Sequence, residues 1–161
     1  MRAVAIHSYG GAEVLSVVDV PVPEPGPGEA LVKVMFAGLN FIDIYQRRGT
    51  YPSATKPSAA NPVVLGLEGA GEVVKVGIGV TDMKPGERVA WSGSPASYAE
   101  YARVPAWKLV PVPADVPLDV ACAIQLQGGT AHYLATSTFP LKAGDTALVH
   151  AAAGGVGQLL V

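Results

Sequence analysis

Residues Ala152-Ala153-Gly154-Gly155-Val156-Gly157 are spaced as a phosphate-binding turn. Aligned on G-x-G-x-x-G, Ala152 takes the first glycine position, Gly154 the second and Gly157 the third. Gly154 there lets the backbone approach a pyrophosphate, and Gly157 lets the following helix pack closely on its strand. The chemistry is electrostatic: the first N–H groups of a helix lack intrahelical acceptors and present partial positive charge to an anion. Glycine also serves ordinary left-handed turns, so the motif alone leaves a purely structural reading open. A second cluster is Asn40-Phe41-Ile42-Asp43-Ile44-Tyr45. Asn40 with Asp43 three residues on resembles a capping box, and Phe41 and Tyr45, four apart, fall on one helical face.

These residues need elements to hold them. Thr146–Val149 is a short apolar run that predicts a buried strand before the glycine-rich turn, and Gln158-Leu159-Leu160-Val161 predicts the first turn of a helix after it. A βαβ unit takes roughly 30 residues, and only 18 run from Gly144 to the end. The chain is therefore expected to be the front part of a longer protein. The residue that sorts NAD from NADP is expected about 20 positions further on.

Up to about residue 115, Gly and Pro punctuate short β-branched runs. Strands are predicted at Ala3–His7, Val14–Val20, Ala30–Phe36, 63–65, Gly71–Val76, Arg88–Trp91, Tyr98–Val104 and Lys108–Val112. Such spacing predicts a small, partly open β-barrel. Pro21 to Gly28 is too proline-rich for a central ladder and reads as an extended connection. A two-turn helix is expected after Asn40, with Gly49 as its left-handed stop, and a mobile loop over residues 50–62. Beyond Pro113 the pattern turns helical, over Leu118–Gln127 and Thr130–Ser137, with Gly128-Gly129 between them. The domain border is expected within residues 113–125, giving domains 1–118 and 119–161.

Composition narrows the classes. Of 161 residues half are hydrophobic, enough for a core, and 15% are charged, with a net charge of −2. No basic run of the kind nucleic acid or an acidic membrane would select is present. No apolar stretch has transmembrane length, and the N-terminus lacks a signal-peptide core. A cytoplasmic protein with neither nucleic-acid nor membrane partner is expected. Cys122 is the single cysteine, so no internal disulfide or thiolate zinc cluster can form. Its apolar neighbours predict a small buried hydrophobe. His150 is expected to pack, His132 to be exposed, and Trp91 and Trp107 to be core or lid residues.

Gly66-Leu67-Glu68-Gly69-Ala70-Gly71-Glu72-Val73-Val74-Lys75-Val76-Gly77 resembles the G-H-E-x-x-G-x-V-x-x-V-G segment of the medium-chain alcohol dehydrogenase superfamily. Gly38 to Asp43, and Gly144-Asp145 with Ala152 to Gly157, are similar to its zinc-free, zeta-crystallin-like quinone oxidoreductase branch. The resemblance implies a mainly β, GroES-like, partly open barrel with short helices, followed by the truncated start of an α/β Rossmann domain. It departs from the zinc enzymes where ligands matter. Asn40 stands at their cysteine and Leu67 at their histidine, and a zinc site needs at least three good N, S or O donors. Glu68 is expected to hydrogen-bond inside the barrel.

Without metal, the chemistry implied is hydride transfer from NADPH to a quinone or enone, with the protein supplying donors and orientation. The resemblance implies catalytic roles for Asn40, Tyr45 and Tyr51, and no metal ligands. It implies cofactor contacts for Phe41, Asp43, Tyr45, Thr130, Tyr133, Gly154, Gly155, Val156 and Gly157. For Asn40 a plain helix cap remains an alternative, and for Asp43 a capping or pairing role. The function expected of the full-length parent, a homodimer, is NADPH-dependent quinone reduction. Alternatives are an enoyl or alkenal reductase, or a non-catalytic truncated domain. The 161-residue chain alone is expected to be inactive.

Overall fold

The computed structural model describes residues 1–51 and 55–161. Part of the loop expected over residues 50–62 thus lies outside the described residues. Two antiparallel sheets carry the β portion. In the first, β1 (Arg2–Ile6) sits between β2 (Leu15–Asp19) and β4 (Val63–Val64). In the second the order is β7-β3-β5-β6-β8, from β3 (Glu29–Gly38), β5 (Glu68–Val76), β6 (Arg88–Ser92), β7 (Tyr101–Pro105) and β8 (Val110–Pro111). A single bridge, Ala3 to Ala99, links β1 to the segment before β7, so the barrel is partly open, as expected.

Alternation explains the core. Ala102 and Val104 on β7, Val32 on β3, Val73 on β5 and Val89 on β6 are all essentially inaccessible, and they close around Trp91. Strand β5 is buried on both edges and begins earlier than its β-branched residues suggest, because the run Glu68-Gly69-Ala70-Gly71 is buried too. At Gly71 a Cβ would overlap the Lys33 carbonyl of β3. This backbone-to-backbone approach permits only glycine, close to a register shift between Val34 and Phe36.

The helices are α1 (Phe41–Arg48), α2 (Leu118–Ala123), α3 (Gln125–Tyr133) and α4 (Gly155–Leu160). Gly49 ends α1 at φ 77°, the left-handed stop read from the sequence. Helix α2 falls within the expected border region, 113–125, and packs on the barrel, with Ala121 and Cys122 against Ala70 and Ala90. Arg88 fixes the connection before it by donating to the carbonyls of Pro113, Ala114 and Val116.

Two expectations fail. Gly128-Gly129 does not separate helices: α3 runs through both, and the break falls at Ile124. Glycine costs a helix only about 1 kcal/mol, which packing and the i−4 bond from Thr130 Oγ1 to Leu126 O outweigh. Thr146–Val149 is extended in sequence character but forms no strand, because no neighbour among the described residues offers it a ladder. Among the described residues no helix is long and apolar enough to cross a membrane.

Candidate active site

Strand β3 ends at Gly38 and the chain turns directly into α1. Asn40, in extended conformation, caps that helix, and its backbone N–H donates to Asp43 Oδ2 at 2.8 Å. Asp43 is 7% exposed. The same Oδ2 accepts the Tyr98 hydroxyl at 2.6 Å. Burial, and then the bond to Asp43 and the charges of Asp43 and Glu68, hold the Tyr98 phenol above its ordinary range, so it remains a donor. Tyr98 was legible only as the start of a strand, and its part in the site was not.

The Asn40 side chain points at β5. Its Nδ2 donates to Glu68 Oε2 at 2.6 Å, and Glu68 is 1% exposed. Glu68 Oε1 accepts the Leu126 N–H at 2.7 Å, at the start of α3. Gln127 Nε2 then donates to Asn40 Oδ1 at 3.4 Å. Glu68 therefore does hydrogen-bond inside the barrel, as its apolar setting demands of a buried carboxylate. Gln127 was not singled out from the sequence; a polar side chain one residue before two helical glycines was the available signal.

Above these groups lies a cleft of about 790 Å³. Leu39, Asn40 and Phe41 line it from the barrel side, and Gly154 to Gly157 from the other. Of the residues singled out, the structure thus brings Asn40, Phe41, Gly154, Gly155, Val156 and Gly157 together. Tyr45, Tyr51, Thr130 and Tyr133 do not line it. Tyr45 and Tyr51 meet edge to face, centroids 5.6 Å apart. Thr130 turns its hydroxyl to Leu126 O, and Tyr133 is half exposed. Asp43 is the buried residue of α1, its carboxylate engaged by Tyr98 and the Asn40 backbone, which suits positioning better than contact with a ligand.

The glycine-rich turn ends in α4, which starts at Gly155 rather than Gln158. Gly154 caps it and donates its N–H to Ala151 O at 2.8 Å. Gly157 is buried against the backbone of Ala151 and Ala152, so the third glycine packs the helix on its own turn instead of on a strand. His150 is exposed at the cleft rim rather than packed. Trp107 is 79% exposed with Lys108 Nζ 5.2 Å from its ring centroid, so it is neither core nor lid; Trp91 is core. His132 is exposed, as expected. Among the described residues no group of three or more His, Cys, Asp or Glu side chains could hold a metal ion.

Residues 26–114 match the alcohol dehydrogenase GroES-like domain. The chain belongs to that family. Its relatives include several quinone oxidoreductases, each matched over about half of its length. A quinone oxidoreductase of Pseudomonas aeruginosa is 45% identical over 157 residues, 97% of this chain and 47% of that protein. A 2-haloacrylate reductase of a Burkholderia species is 40% identical, over 100% of this chain and 49% of that protein. The crystal structure of Escherichia coli quinone oxidoreductase complexed with NADPH superposes with a TM-score of 0.93 at 37% identity, over 99% of this chain and 48% of that one. The chain spans about half the length of the curated relatives it matches.

Cys122 backs this site. Its Sγ lies 3.6 Å from Phe36 O, and burial, followed by the Glu68 charge, pushes the thiol up to about 11 from 9.0. That rise lowers the thiolate fraction at pH 8 by about a hundredfold. Alkylation by iodoacetamide at pH 8 is expected to be slower than that of the urea-unfolded chain by about that factor. Because the folded thiol holds its proton more tightly, its contribution to stability is full below pH 9 and is lost as pH rises towards 11. Equal alkylation rates in the folded and unfolded chains would contradict this assignment.

Proposed function

We propose that this chain is the substrate-side part of an NADPH-dependent quinone oxidoreductase that works without zinc. Residues 1–118 form its GroES-like domain, and 119–161 begin its nucleotide-binding domain. The observation that carries the reading is the shared cleft, which sets the Asn40 amide opposite Gly154 to Gly157. The E. coli relative solved with NADPH supports the choice of cofactor.

The residues present fit a dinucleotide. Gly154 and Gly155 are exposed, and the N–H groups of Gly155 and Val156 fall in the first turn of α4, where intrahelical acceptors are lacking. NADPH, when bound, supplies the hydride. The chain's own part is to bind and orient. Gly154 to Gly157 hold phosphate, and Phe41, 77% exposed on the cleft, offers an apolar face. Asn40 keeps one Nδ2 proton on Glu68 and has a second to donate to the quinone oxygen on which negative charge develops. Tyr45 on α1 and Tyr51 just after it, both exposed, are assigned to the substrate approach. The 2-haloacrylate reductase relative supports a second reading, reduction of a carbon–carbon double bond conjugated to a carbonyl, which asks the same donor of Asn40.

The test is NADPH consumption by the protein of the complete reading frame, with benzoquinones and conjugated enones as acceptors. Turnover with quinones, insensitive to chelator and without stoichiometric zinc, is expected. The 161-residue chain alone should show none. Turnover confined to enones would select the second reading. No turnover with either class, or activity that follows zinc content, would overturn the proposal.

A further inference from the structure

Glu68, Asn40, Gln127 and the glycine-rich turn form one continuous polar path. Its first member is a buried carboxylate, which can only accept. The Asn40 nitrogen, not its oxygen, must therefore face Glu68, and the Leu126 N–H occupies the other carboxylate oxygen. Asn40 Oδ1 is left to accept from Gln127 Nε2. That in turn leaves Gln127 Oε1 at the far end, lying where a Cβ on Gly155 would have to sit. Every donor and acceptor along the path is fixed by the charge at its start.

From this, we infer that Glu68 and Gln127 are positioning residues that set the polarity of the Asn40 amide, and that Gln127 carries this setting to Gly155. The inference rests on the oxidoreductase reading for its consequence but not for its geometry. With Oδ1 accepting from Gln127 and, in the capping box, from the Asp43 N–H, and one Nδ2 proton on Glu68, Asn40 can turn only one group to a ligand, its second Nδ2–H. Gln127 touches the turn at Gly155, so an occupant of that turn and the orientation of the amide are mechanically joined.

Two measurements test this, one of them independent of activity. In the 15N-labelled 161-residue chain, one Asn40 Nδ2 proton should be shifted downfield by the carboxylate, and Glu68→Gln should abolish the shift. In the protein of the complete reading frame, Glu68→Gln and Gln127→Leu should each lower kcat by about tenfold, the loss expected when a hydrogen bond of this kind no longer holds the donor. The paired variant Asn40→Asp with Glu68→Gln separates positioning from mere support. There the Gln at 68 donates to the Asp at 40 and still accepts from Leu126, and the Asp still accepts from Gln127, so every bond survives and only the one between residues 40 and 68 has its polarity reversed. Its thermal midpoint should return towards that of the parent while kcat stays low. Recovery of kcat together with the midpoint would overturn the inference, as would an unshifted Asn40 resonance. If Glu68→Gln alone does not fold, the paired variant and Gln127→Leu still decide. A parent protein that reduces neither quinones nor enones refutes the oxidoreductase reading, and the resonance then decides the geometry.

Discussion

In the protein of the complete reading frame, Asn40→Ala is expected to lower the proposed quinone turnover by about a hundredfold while the protein still folds. Among the described residues, the substitution removes the one side-chain donor that lines the cleft from its barrel wall. Removal of a single preorganised donor from an oxyanion site costs a factor of about 100 to 1,000. Stability should fall by less. A lost N-cap costs about 1 kcal/mol, and Glu68, deprived of one of its two donors, adds roughly 1–3 kcal/mol. Asp43 continues to bind the backbone of residue 40, so α1 keeps its entry. Asn40→Asp should be the worse folder, because it sets a second carboxylate where Nδ2 now lies 2.6 Å from Glu68. Steady-state kcat and the thermal midpoint, measured on the same preparations, separate the two effects. A folded Asn40→Ala protein with parental kcat would remove Asn40 from the chemistry and leave it as a cap.

What the sequence disclosed followed from local rules. The Asn40–Asp43 pairing and the Gly49 stop are contacts within one helix, so spacing alone locates them. The strands of the barrel were legible because β-branched residues and turn residues alternate at short range. Long-range geometry was not legible. Glu68 and Asn40 are 28 positions apart, and Gln127 meets Asn40 across 87. Nothing local in Leu126-Gln127-Gly128-Gly129 announces that the glutamine amide will rest on Gly155, and the two glycines pointed to a break where packing made a helix. Thr146–Val149 shows the opposite failure: its composition is that of a strand, but a strand exists only with a partner. Trp107 reads as core or lid by residue type and is 79% exposed, on a single 3₁₀ turn after β7 with Lys108 Nζ 5.2 Å from its ring centroid.

Trp91→Ala is expected to destabilise the fold by about 3–5 kcal/mol, the usual cost of emptying a fully buried aromatic site. The ring is completely inaccessible and lies at the centre of the cluster that β3, β5, β6 and β7 share. Against a typical total of about 5–15 kcal/mol, a loss of that size takes a large part of the stability. Trp91→Phe should cost much less, roughly 1–2 kcal/mol. Phenylalanine sheds volume, but it also removes an indole Nε1–H that is buried without a partner among the described residues. Urea unfolding checks both, and a shift in midpoint at unchanged slope marks a change in stability alone. The consequence reaches the site because Trp91 pairs with Gly69, next to Glu68. A Cβ on Gly69 would come within 2.5 Å of the indole Cζ2, so the ring forms the wall against which this part of β5 lies. In Trp91→Ala that wall is gone, and Glu68 gains freedom to leave Asn40. Turnover of the fraction still folded should therefore fall in Trp91→Ala and be retained in Trp91→Phe. Parental turnover in folded Trp91→Ala would show that β5 holds Glu68 in place without the indole.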